Sequence, residues 1–453
     1  MFRVDEIIQA THGLLIQGSL TDKITSISTD SRKLKAREAF LALRGKNFDG
    51  HDYVAGALKL KASCLILEKD PGFLIPAVVT VIKVKDTTLA LGDLARFQRQ
   101  KINLPVIAVT GSNGKTTTKE MVAWVLSAKA KVLKNEGTKN NQIGLPQTLI
   151  QLTKRNRFAV VEIGTNHFGE VDYLSKIARP NIGLITNIGP SHLEFLKDLK
   201  GVAKEKTTLL NNLAKPAIVL LNADDKLLKG LIKNKVKGQH IFSYGINEKS
   251  DFRASCVELK NGKVEFKVNS KFKFELSTLG DYNIYNALGA IAVGRILGLS
   301  YPEIRARLAT FKFPKGRFNL INFKGLRFID DTYNSNPLSL NASLVALAAM
   351  HCKGRKILIM GDMLELGKQK ELLHRQIAWS ITNTCDLLIT VGSLARITAK
   401  AAKNNGLNSK HIFCCSDAHQ ARELLFKKIS AKADDLILVK GSRSMKMEEV
   451  LGS

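Results

Sequence analysis

The middle of the chain alternates short apolar runs with longer segments of helical periodicity. The apolar runs stand at residues 105–110, 158–164, 182–189 and 217–223. Short apolar runs that are separated by helices are typical of parallel strands covered on both faces. The pattern therefore predicts a doubly wound central sheet. After residues 240–245, apolar and charged residues alternate, which predicts an antiparallel extension at the edge of that sheet.

Two further α/β units flank this sheet. Residues 1–83 combine short apolar strands with two helical segments, and residues 315–453 hold a new cycle of strands, in LRFIDDTY, KILIMGD, LLITVG, HIFCC and DLILVKG. We predict an α/β protein of three domains: a small N-terminal domain at 1–83, the central sheet at 84–314 and a Rossmann-like domain at 315–453. Because open parallel sheets bind ligands at the carboxyl ends of their strands, we expect a ligand held between domains.

Composition agrees with a folded protein of several domains. The chain has 453 residues, of which 45% are hydrophobic and 24% charged. No apolar run approaches the roughly 18 residues that cross a bilayer. The six cysteines lack the spacing of a zinc site, and a chain of this length does not need disulfides. We therefore expect a cytoplasmic protein.

The net charge of +29 raises the possibility of a nucleic-acid partner. The basic residues are spread along the chain, however, and aromatic residues make up only 6% of it, which disfavours a groove that stacks bases. A basic surface also attracts nucleotide phosphates. We predict small-molecule partners and no nucleic acid. A nucleic-acid-stimulated ATPase remains the alternative from another functional class.

The strongest local motif is PVIAVTGSNGKTTTKEMVAWVL at residues 105–126, which reads as a buried strand, a glycine-rich turn and a helix. Backbone N–H groups at such a helix start bind phosphate oxygens. Lys115 adds a cation, and the Thr116 hydroxyl can bind Mg²⁺. The turn is shorter than the usual eight-residue phosphate loop, since Val109 stands where that pattern requires glycine. This segment predicts a phosphate site.

Two polar side chains follow later strands of the same sheet. Glu162 ends the strand at 158–164, and His192 follows the strand at 182–189. Either residue alone has an ordinary structural explanation. Because both follow parallel strands next to the predicted phosphate site, we interpret them together as candidate Mg²⁺ ligands.

An ordered set of motifs resembles the Mur ligase family: TGSNGKTT, EIGTNHFGEV, NIGPSHLE, GDYNIYNAL, DDTYNSNP, GDMLELG and VKGSRSMKMEEV. The resemblance covers essentially the whole chain. It implies ATP-dependent addition of D-alanyl-D-alanine to UDP-N-acetylmuramoyl-tripeptide through an acyl phosphate, by a monomer acting in peptidoglycan synthesis. It leaves open whether the tripeptide ends in diaminopimelate or lysine. The alternatives within this fold are the ligase one step earlier, disfavoured because its Asp-Asn-Pro-Arg motif is absent, and folylpolyglutamate synthase.

The resemblance also assigns nucleotide and metal sites. It implies that ATP is bound by Gly111, Ser112, Asn113, Gly114, Lys115, Thr116, Thr117, Asn283, Asn286, Arg317 and Asp331. It implies two Mg²⁺ ions on Thr116, Glu162, His192 and a modified Lys206. Arg317 and Asp331 would complete the site when the domains close. Tyr282 stands where the family usually has histidine.

The substrate side is assigned by the same resemblance. The uridine-nucleotide end is expected on the first domain, at Ser31, Arg32, Lys46 and Asn47, where basic side chains suit a pyrophosphate. The muramoyl peptide and the dipeptide are expected at Asn140, Asn141, Thr165, Asn166, His167, Tyr333, Asn334 and Asn336. Ordinary loop and surface roles remain open for each of these residues.

Lys206 matches the lysine that the family carbamylates with CO₂. An unmodified ammonium would repel Mg²⁺, whereas a carbamate presents two anionic oxygens to it. Lys204, two residues earlier, is the competing candidate, and the spacing from His192 favours Lys206. The resemblance thus implies three catalytic residues: Lys115, His192 and carbamylated Lys206.

Overall fold

The computed structural model describes residues 1–45, 47–233, 238–260 and 262–452. The first domain comprises β1 (Phe2–Arg3), α1 (Val4–Thr11), β2 (Leu14–Gln17), β3 (Lys23–Ile24), β4 (Ile27–Ser28), β5 (Ala39–Leu41), α2 (Val54–Lys59), β6 (Cys64–Leu67) and β7 (Thr80–Lys83). Its five-stranded sheet has the order β2-β7-β6-β5-β4 and is parallel except for the β2–β7 pair. Every residue of β5 and β6 is buried, as their apolar runs predict.

The central domain follows. Its elements are α3 (Thr87–Lys101), β8 (Val106–Thr110), α4 (Lys115–Leu126), β9 (Val132–Lys134), α5 (Gly144–Ile150), β10 (Phe158–Glu162), α6 (Glu170–Ala178), β11 (Ile182–Ile185), α7 (Leu193–Leu196), α8 (Leu199–Thr207), β12 (Ala217–Asn222), α9 (Lys226–Lys233), β13 (Gln239–Gly245), β14 (Phe252–Lys260), β15 (Lys263–Val268), β16 (Phe272–Leu276), α10 (Asn283–Ile296) and α11 (Tyr301–Ala309). The nine strands have the order β16-β15-β14-β13-β12-β11-β8-β10-β9.

Helices cover both faces of the parallel part of this sheet. Along β8, Val106 and Ala108 belong to the apolar cluster that contains side chains of α3, α5 and α6. Ile107 and Val109 belong to the cluster on the opposite face, with α4 and α10. This alternation follows from the two-residue period of a strand. Beyond β13, the pairs β14–β15 and β15–β16 are antiparallel, which is the predicted edge extension.

The third domain has a six-stranded sheet of order β17-β18-β22-β19-β20-β21. Its elements are β17 (Asn319–Phe323), β18 (Leu326–Asp331), α12 (Pro337–Ala349), β19 (Lys356–Gly361), α13 (Lys370–Thr382), β20 (Leu387–Val391), α14 (Ala395–Asn404), β21 (Ile412–Cys415), α15 (Ala418–Lys427) and β22 (Leu436–Lys440). All neighbouring strands are parallel except the edge pair β17–β18.

The large sheets of the three domains confirm the predicted fold class, and β1 and β3 form a separate antiparallel pair in the first domain. The sequence pattern missed three edge strands, β2, β9 and β17, because short strands with half-exposed residues lack a continuous apolar run. The second helical segment predicted in the first domain, HDYVAGALKLKA at residues 51–62, starts as a 3₁₀ turn at Gly50–Tyr53, capped by the carboxylate of Asp49, and only Val54–Lys59 is α-helical. Among the described residues, no helix is long and apolar enough to cross a membrane.

Candidate active site

A cavity of about 1320 Å³ lies between the central and third domains. It opens where β8, β10 and β11 end in the central sheet and where β18 and β22 end in the third domain. Eighteen of the sequence-predicted site residues line it: Ser112, Asn113, Gly114, Lys115, Thr116, Thr117, Asn140, Glu162, Thr165, Asn166, His192, Asn283, Asn286, Arg317, Asp331, Tyr333, Asn334 and Asn336.

The turn between β8 and α4, residues 111–114, is the turn predicted to bind phosphate and is called the phosphate turn below; it is compact and requires its glycines. Gly111 has φ of +145°, and a Cβ placed there would lie 1.9 Å from the Thr186 hydroxyl oxygen. The Lys115 ammonium folds back onto the turn and donates to the carbonyls of Gly111 at 2.8 Å and Ser112 at 3.2 Å. Burial lowers the pKa of Lys115, and Arg317 adds to this effect. The first residues of α4, Lys115, Thr116 and Thr117, line the cavity, and the free N–H groups of a helix start suit phosphate oxygens.

Two side chains near this turn offer the oxygen ligands that suit a hard cation. The Thr116 hydroxyl and the Glu162 carboxylate are buried, at 7% and 1% exposure. Oε2 of Glu162 has no hydrogen-bond partner within the described residues, so a buried anionic oxygen is left for an external positive group. In the described part of the chain, no three His, Cys, Asp or Glu side chains are grouped to hold a metal.

His192 takes a different contact from the predicted one. It has φ of +52° just before α7, and its Nδ1 lies 2.6 Å from Oε2 of Glu365 in the third domain. The interaction with His192 lowers the pKa of Glu365. The backbone N–H of Glu194 also donates to the Glu365 carbonyl at 3.2 Å. In this arrangement His192 joins two domains.

Lys206 is buried at 1% exposure, whereas Lys204 is exposed. Burial, followed by repulsion from Lys115, holds the pKa of Lys206 well below its ordinary value, although Glu205 and Glu162 oppose this. Lys206 is thus buried close enough to Lys115 for the two ammonium groups to repel each other, and it is not among the described residues that line the cavity. The Glu205 carboxylate accepts from the N–H groups of Gly169 and Val171 at 2.8 Å each, which fixes α8 against the start of α6.

The start of α10 forms a polar wall of the cavity. The Asn286 side-chain N–H donates to Asn283 Oδ1 at 2.8 Å, and Asn286 Oδ1 accepts from the Thr118 hydroxyl at 3.0 Å. A Cβ at Gly114 would lie 2.4 Å from Asn286 Oδ1, so the phosphate turn and α10 are in close contact. Burial raises the pKa of Tyr282 well above its usual value, which keeps this phenol neutral.

Arg317 and Asp331 come from the third-domain side. The Arg317 guanidinium stacks 3.8 Å from the Tyr333 ring centre and donates to the Thr116 hydroxyl at 3.3 Å. Asp331 ends β18, and its Oδ2 accepts from Ser343 at 2.6 Å and pairs with the Lys440 ammonium at 2.6 Å. The carboxylate is thus held from two sides.

The residues after β18 touch the phosphate turn directly. The amides of Asn113 and Asn336 exchange two hydrogen bonds, of 2.8 and 3.3 Å. Asn336 also caps α12 through Ser339. The Asn334 carbonyl accepts from Lys440 at 3.0 Å. These contacts fix the third domain on the phosphate turn.

The predicted substrate residues fall in separate places. Thr165 and Asn166 line the cavity, whereas His167 is not among its lining residues and packs against Phe195, with ring centres 4.3 Å apart and ring planes tilted by 44°. The Asn140 amide donates to Oε1 of Glu162 at 2.6 Å. Asn141 instead caps the start of α5 and lines a shallow groove beside the cavity.

The first-domain candidates lie away from the cavity. Arg32 is exposed and pairs with Asp30 at 2.9 Å, Ser31 is half-buried, and Asn47 is exposed. Lys46 lies outside the described residues. Thr29 accepts a hydrogen bond from Gln147, which lines the shallow groove. One residue of the groove, Gln147, is therefore in contact with the first domain at Thr29.

Sequence reasoning missed two polar residues of the third domain, Lys440 and Glu365. Both line the cavity and both stand in motifs that the sequence presents, VKGSRSMKMEEV and GDMLELG. Lys440 is 3% exposed, and burial lowers its pKa. A lysine at the end of an apolar strand is the signal that could have found it, because the carboxyl ends of these strands form the site.

Three segments that together make up most of the chain match known protein families. Residues 109–294 match the Mur ligase middle domain. Residues 316–443 match the Mur ligase, glutamate ligase domain, and residues 23–99 match the Mur ligase family, catalytic domain.

Individual proteins are similar over nearly the full length. UDP-N-acetylmuramoyl-tripeptide--D-alanyl-D-alanine ligase of Bacillus subtilis is 34% identical over 435 residues, covering 94% of this chain and 92% of that protein. The ligase of the same name from Haemophilus influenzae is 35% identical over 445 residues, covering 95% and 93%. The crystal structure of MurF from Acinetobacter baumannii has a TM-score of 0.90 at 32% identity, covering 100% and 98%. That of MurF ligase from Thermotoga maritima in complex with ADP has a TM-score of 0.82 at 28% identity, covering 94% and 96%.

Proposed function

The chain belongs to the Mur ligase family, and from this premise we propose that it joins D-alanyl-D-alanine to UDP-N-acetylmuramoyl-tripeptide at the expense of ATP. The observation that carries the proposal is the single cavity that collects the phosphate turn, the Glu162 carboxylate and the Arg317 guanidinium from two domains. Relatives that carry this activity in their names match 94% and 95% of the chain. The ATP requirement is supported by the ADP complex of the Thermotoga maritima structure.

The reaction begins with the tripeptide carboxylate and the γ-phosphate of ATP, which are both anionic. The carboxylate oxygen bonds to the γ-phosphorus as the bond to ADP breaks, which yields an acyl phosphate. The N–H groups at the start of α4 and the Arg317 guanidinium stabilise the charge on the transferring group. Lys115 now donates to its own turn at 2.8 Å, and we propose that it turns to the phosphates when nucleotide binds.

The second step is attack by the dipeptide amine on the acyl carbon. A tetrahedral centre forms, the amide bond is completed and inorganic phosphate leaves with the former carboxylate oxygen. Contacts between the domains, such as the Asn113–Asn336 pair, hold the reacting groups together and exclude water that would hydrolyse the acyl phosphate. We propose that Thr165, Asn166, Tyr333 and Asn334 line the path of the peptide substrates.

Divalent cation binding is part of the proposal. Thr116, Glu162 and His192 would hold Mg²⁺, and the strongest support is Oε2 of Glu162, which has no hydrogen-bond partner among the residues that the structure describes. Magnesium supplies charge neutralisation at the phosphates. For His192 to take part, it would have to release Glu365. A second cation would use Lys206 as a carbamate, which is supported by the burial of this lysine beside Lys115.

The uridine nucleotide would lie on the first domain at Ser31, Arg32, Lys46 and Asn47. The shallow groove beside Gln147 would then carry the muramoyl peptide toward the cavity. The protein would work as a monomer in the cytoplasm, as its resemblance to the Mur ligase family implies. Its basic surface would attract anionic nucleotide substrates rather than nucleic acid.

The test is product formation by the purified protein. With ATP, Mg²⁺, D-alanyl-D-alanine and the UDP-tripeptide, it should release ADP and form UDP-N-acetylmuramoyl-pentapeptide. Running the assay with the diaminopimelate and lysine tripeptides identifies the third residue. ADP release that requires a single amino acid in place of the dipeptide would indicate the preceding ligase. Stimulation by DNA or RNA alone would refute the proposal.

A further inference from the structure

A fully buried lysine anchors the loop that leads from β9 toward α5. Lys119, on the helix that begins at the phosphate turn, is 0% exposed. Its ammonium donates to the carbonyls of Asn135 at 2.7 Å and Gly137 at 2.9 Å, and it pairs with Glu120 at 2.9 Å. A buried ammonium is costly unless its donors are satisfied. The loop carbonyls are therefore held to α4 as one unit.

The same loop is attached to the end of β10 through Asn135. Its side-chain oxygen accepts from the Glu162 N–H at 2.9 Å, and its amide donates to the Lys139 carbonyl at 2.9 Å. Asn135 is itself 0% exposed. The loop thus bridges the phosphate-turn helix and the strand that carries Glu162.

The loop ends at Asn140, whose amide reaches the Glu162 carboxylate. The distance from Asn140 Nδ2 to Glu162 Oε1 is 2.6 Å, while Oε2 has no hydrogen-bond partner within the described residues. A Cβ at Gly164 would lie 2.6 Å from Asn140 Oδ1, so the absence of a side chain there leaves room for the amide. One carboxylate oxygen is fixed by the protein, and the other is left for a cation.

We propose that Asn140 is a positioning residue that aims Glu162 at a divalent cation, and that Lys119 and Asn135 hold the loop in the position this requires. The inference rests on the proposed function, since it takes Glu162 as a metal ligand. Partners of this kind orient a ligating carboxylate and set metal affinity without touching the metal. The role differs from the substrate contact that the sequence predicts for Asn140. A substrate contact would alter affinity for the UDP-tripeptide, whereas a positioning residue alters the gain in nucleotide affinity caused by the metal.

Calorimetric titration of ADP into the protein, once with EDTA and once with saturating Mg²⁺, separates these roles without any turnover. The ratio of the two affinities measures the contribution of the protein's metal ligands. We expect Asn140→Ala to reduce this ratio about 10-fold, the lower end of the usual effect for such partners, and to leave the affinity in EDTA unchanged. An unchanged ratio, or an equal loss of affinity in EDTA, would overturn the proposal.

Lys134 serves as the control for Lys119 in a test of the anchoring role. Both lysines contact the Glu120 carboxylate, but of the two it is Lys119 that donates to the loop carbonyls. Lys119→Met should lower the Mg²⁺-dependent ratio in the same direction as Asn140→Ala, and Lys134→Met should preserve it. Equal effects of the two lysine variants would contradict the anchoring role. If Lys119→Met does not fold, Asn140→Ala decides the proposal. A wild-type protein with the same ADP affinity in both titrations would instead refute the metal site of the proposed function.

Discussion

The buried pair between Asp331 and Lys440 gives the sharpest prediction for stability. Oδ2 of Asp331 lies 2.6 Å from the lysine ammonium, and their side chains are 9% and 3% exposed. Replacing Lys440 with methionine keeps most of the side-chain volume and removes the charge. The Asp331 carboxylate would then be buried with Ser343 as its remaining side-chain donor at Oδ2, and the Asn334 carbonyl would lose its bond to the lysine.

Removal of one partner from a buried ion pair costs about 3–5 kcal/mol, because an uncompensated charge stays in the interior. We expect Lys440→Met to lower the free energy of unfolding of the third domain by this amount. The double variant Asp331→Asn/Lys440→Met should recover to within about 1–2 kcal/mol of wild type, since replacing both charges removes the desolvation penalty. Ser343 can still donate to the asparagine oxygen.

The assay is urea-dependent amide hydrogen exchange of β18 and β22, which reports the free energy of opening of the strands that carry the pair. The comparison of the double variant with the two single variants isolates the coupling between the side chains. A loss below about 1 kcal/mol in Lys440→Met, or a double variant as unstable as the sum of the singles, would refute the reasoning. ATP affinity should stay weakened in the double variant, because Asp331 is also a proposed nucleotide contact.

Three further predictions concern other parts of the molecule. Arg317→Ala and Asp331→Ala should raise the KM for ATP and lower turnover, while the affinity for the UDP-substrate, measured by calorimetry, stays unchanged. An equal loss of affinity for ATP and for the UDP-substrate would contradict this. Lys206→Ala should lose most activity and regain part of it when short carboxylic acids are added. Lys204→Ala, at an exposed position, should keep its activity. Full activity of Lys206→Ala in CO₂-depleted buffer would exclude a required carbamate. Burial lowers the pKa of His374, so as the pH falls the unfolded chain takes up this proton before the folded protein does. The melting temperature should therefore fall as the pH drops below about 6.5. His374→Gln should flatten this dependence when melting temperatures are measured between about pH 7.5 and about pH 5.5.

The sequence alone was sufficient to predict those parts of the site whose residues follow one another along the chain. The strand, turn and helix of residues 105–126 contain every residue of the phosphate turn, so the motif alone predicted it. The parallel sheets were predictable for the same reason, because a strand buried on both faces is apolar over its whole length. Short edge strands such as β2 and β17 were missed because half of their residues face solvent.

Only the tertiary structure determined which polar groups meet. Lys440 stands 109 residues from Asp331, and Asn336 stands 223 residues from Asn113. No local pattern encodes such pairs, since a lysine or asparagine looks the same in a sequence whether its partner is water or a buried carboxylate. Burial then changes the chemistry, because a charge removed from water must find a specific partner or shift its pKa. The sequence therefore determined the three sheets and the phosphate turn, and the packing of the domains determined how Glu162, Asp331 and Lys206 are held.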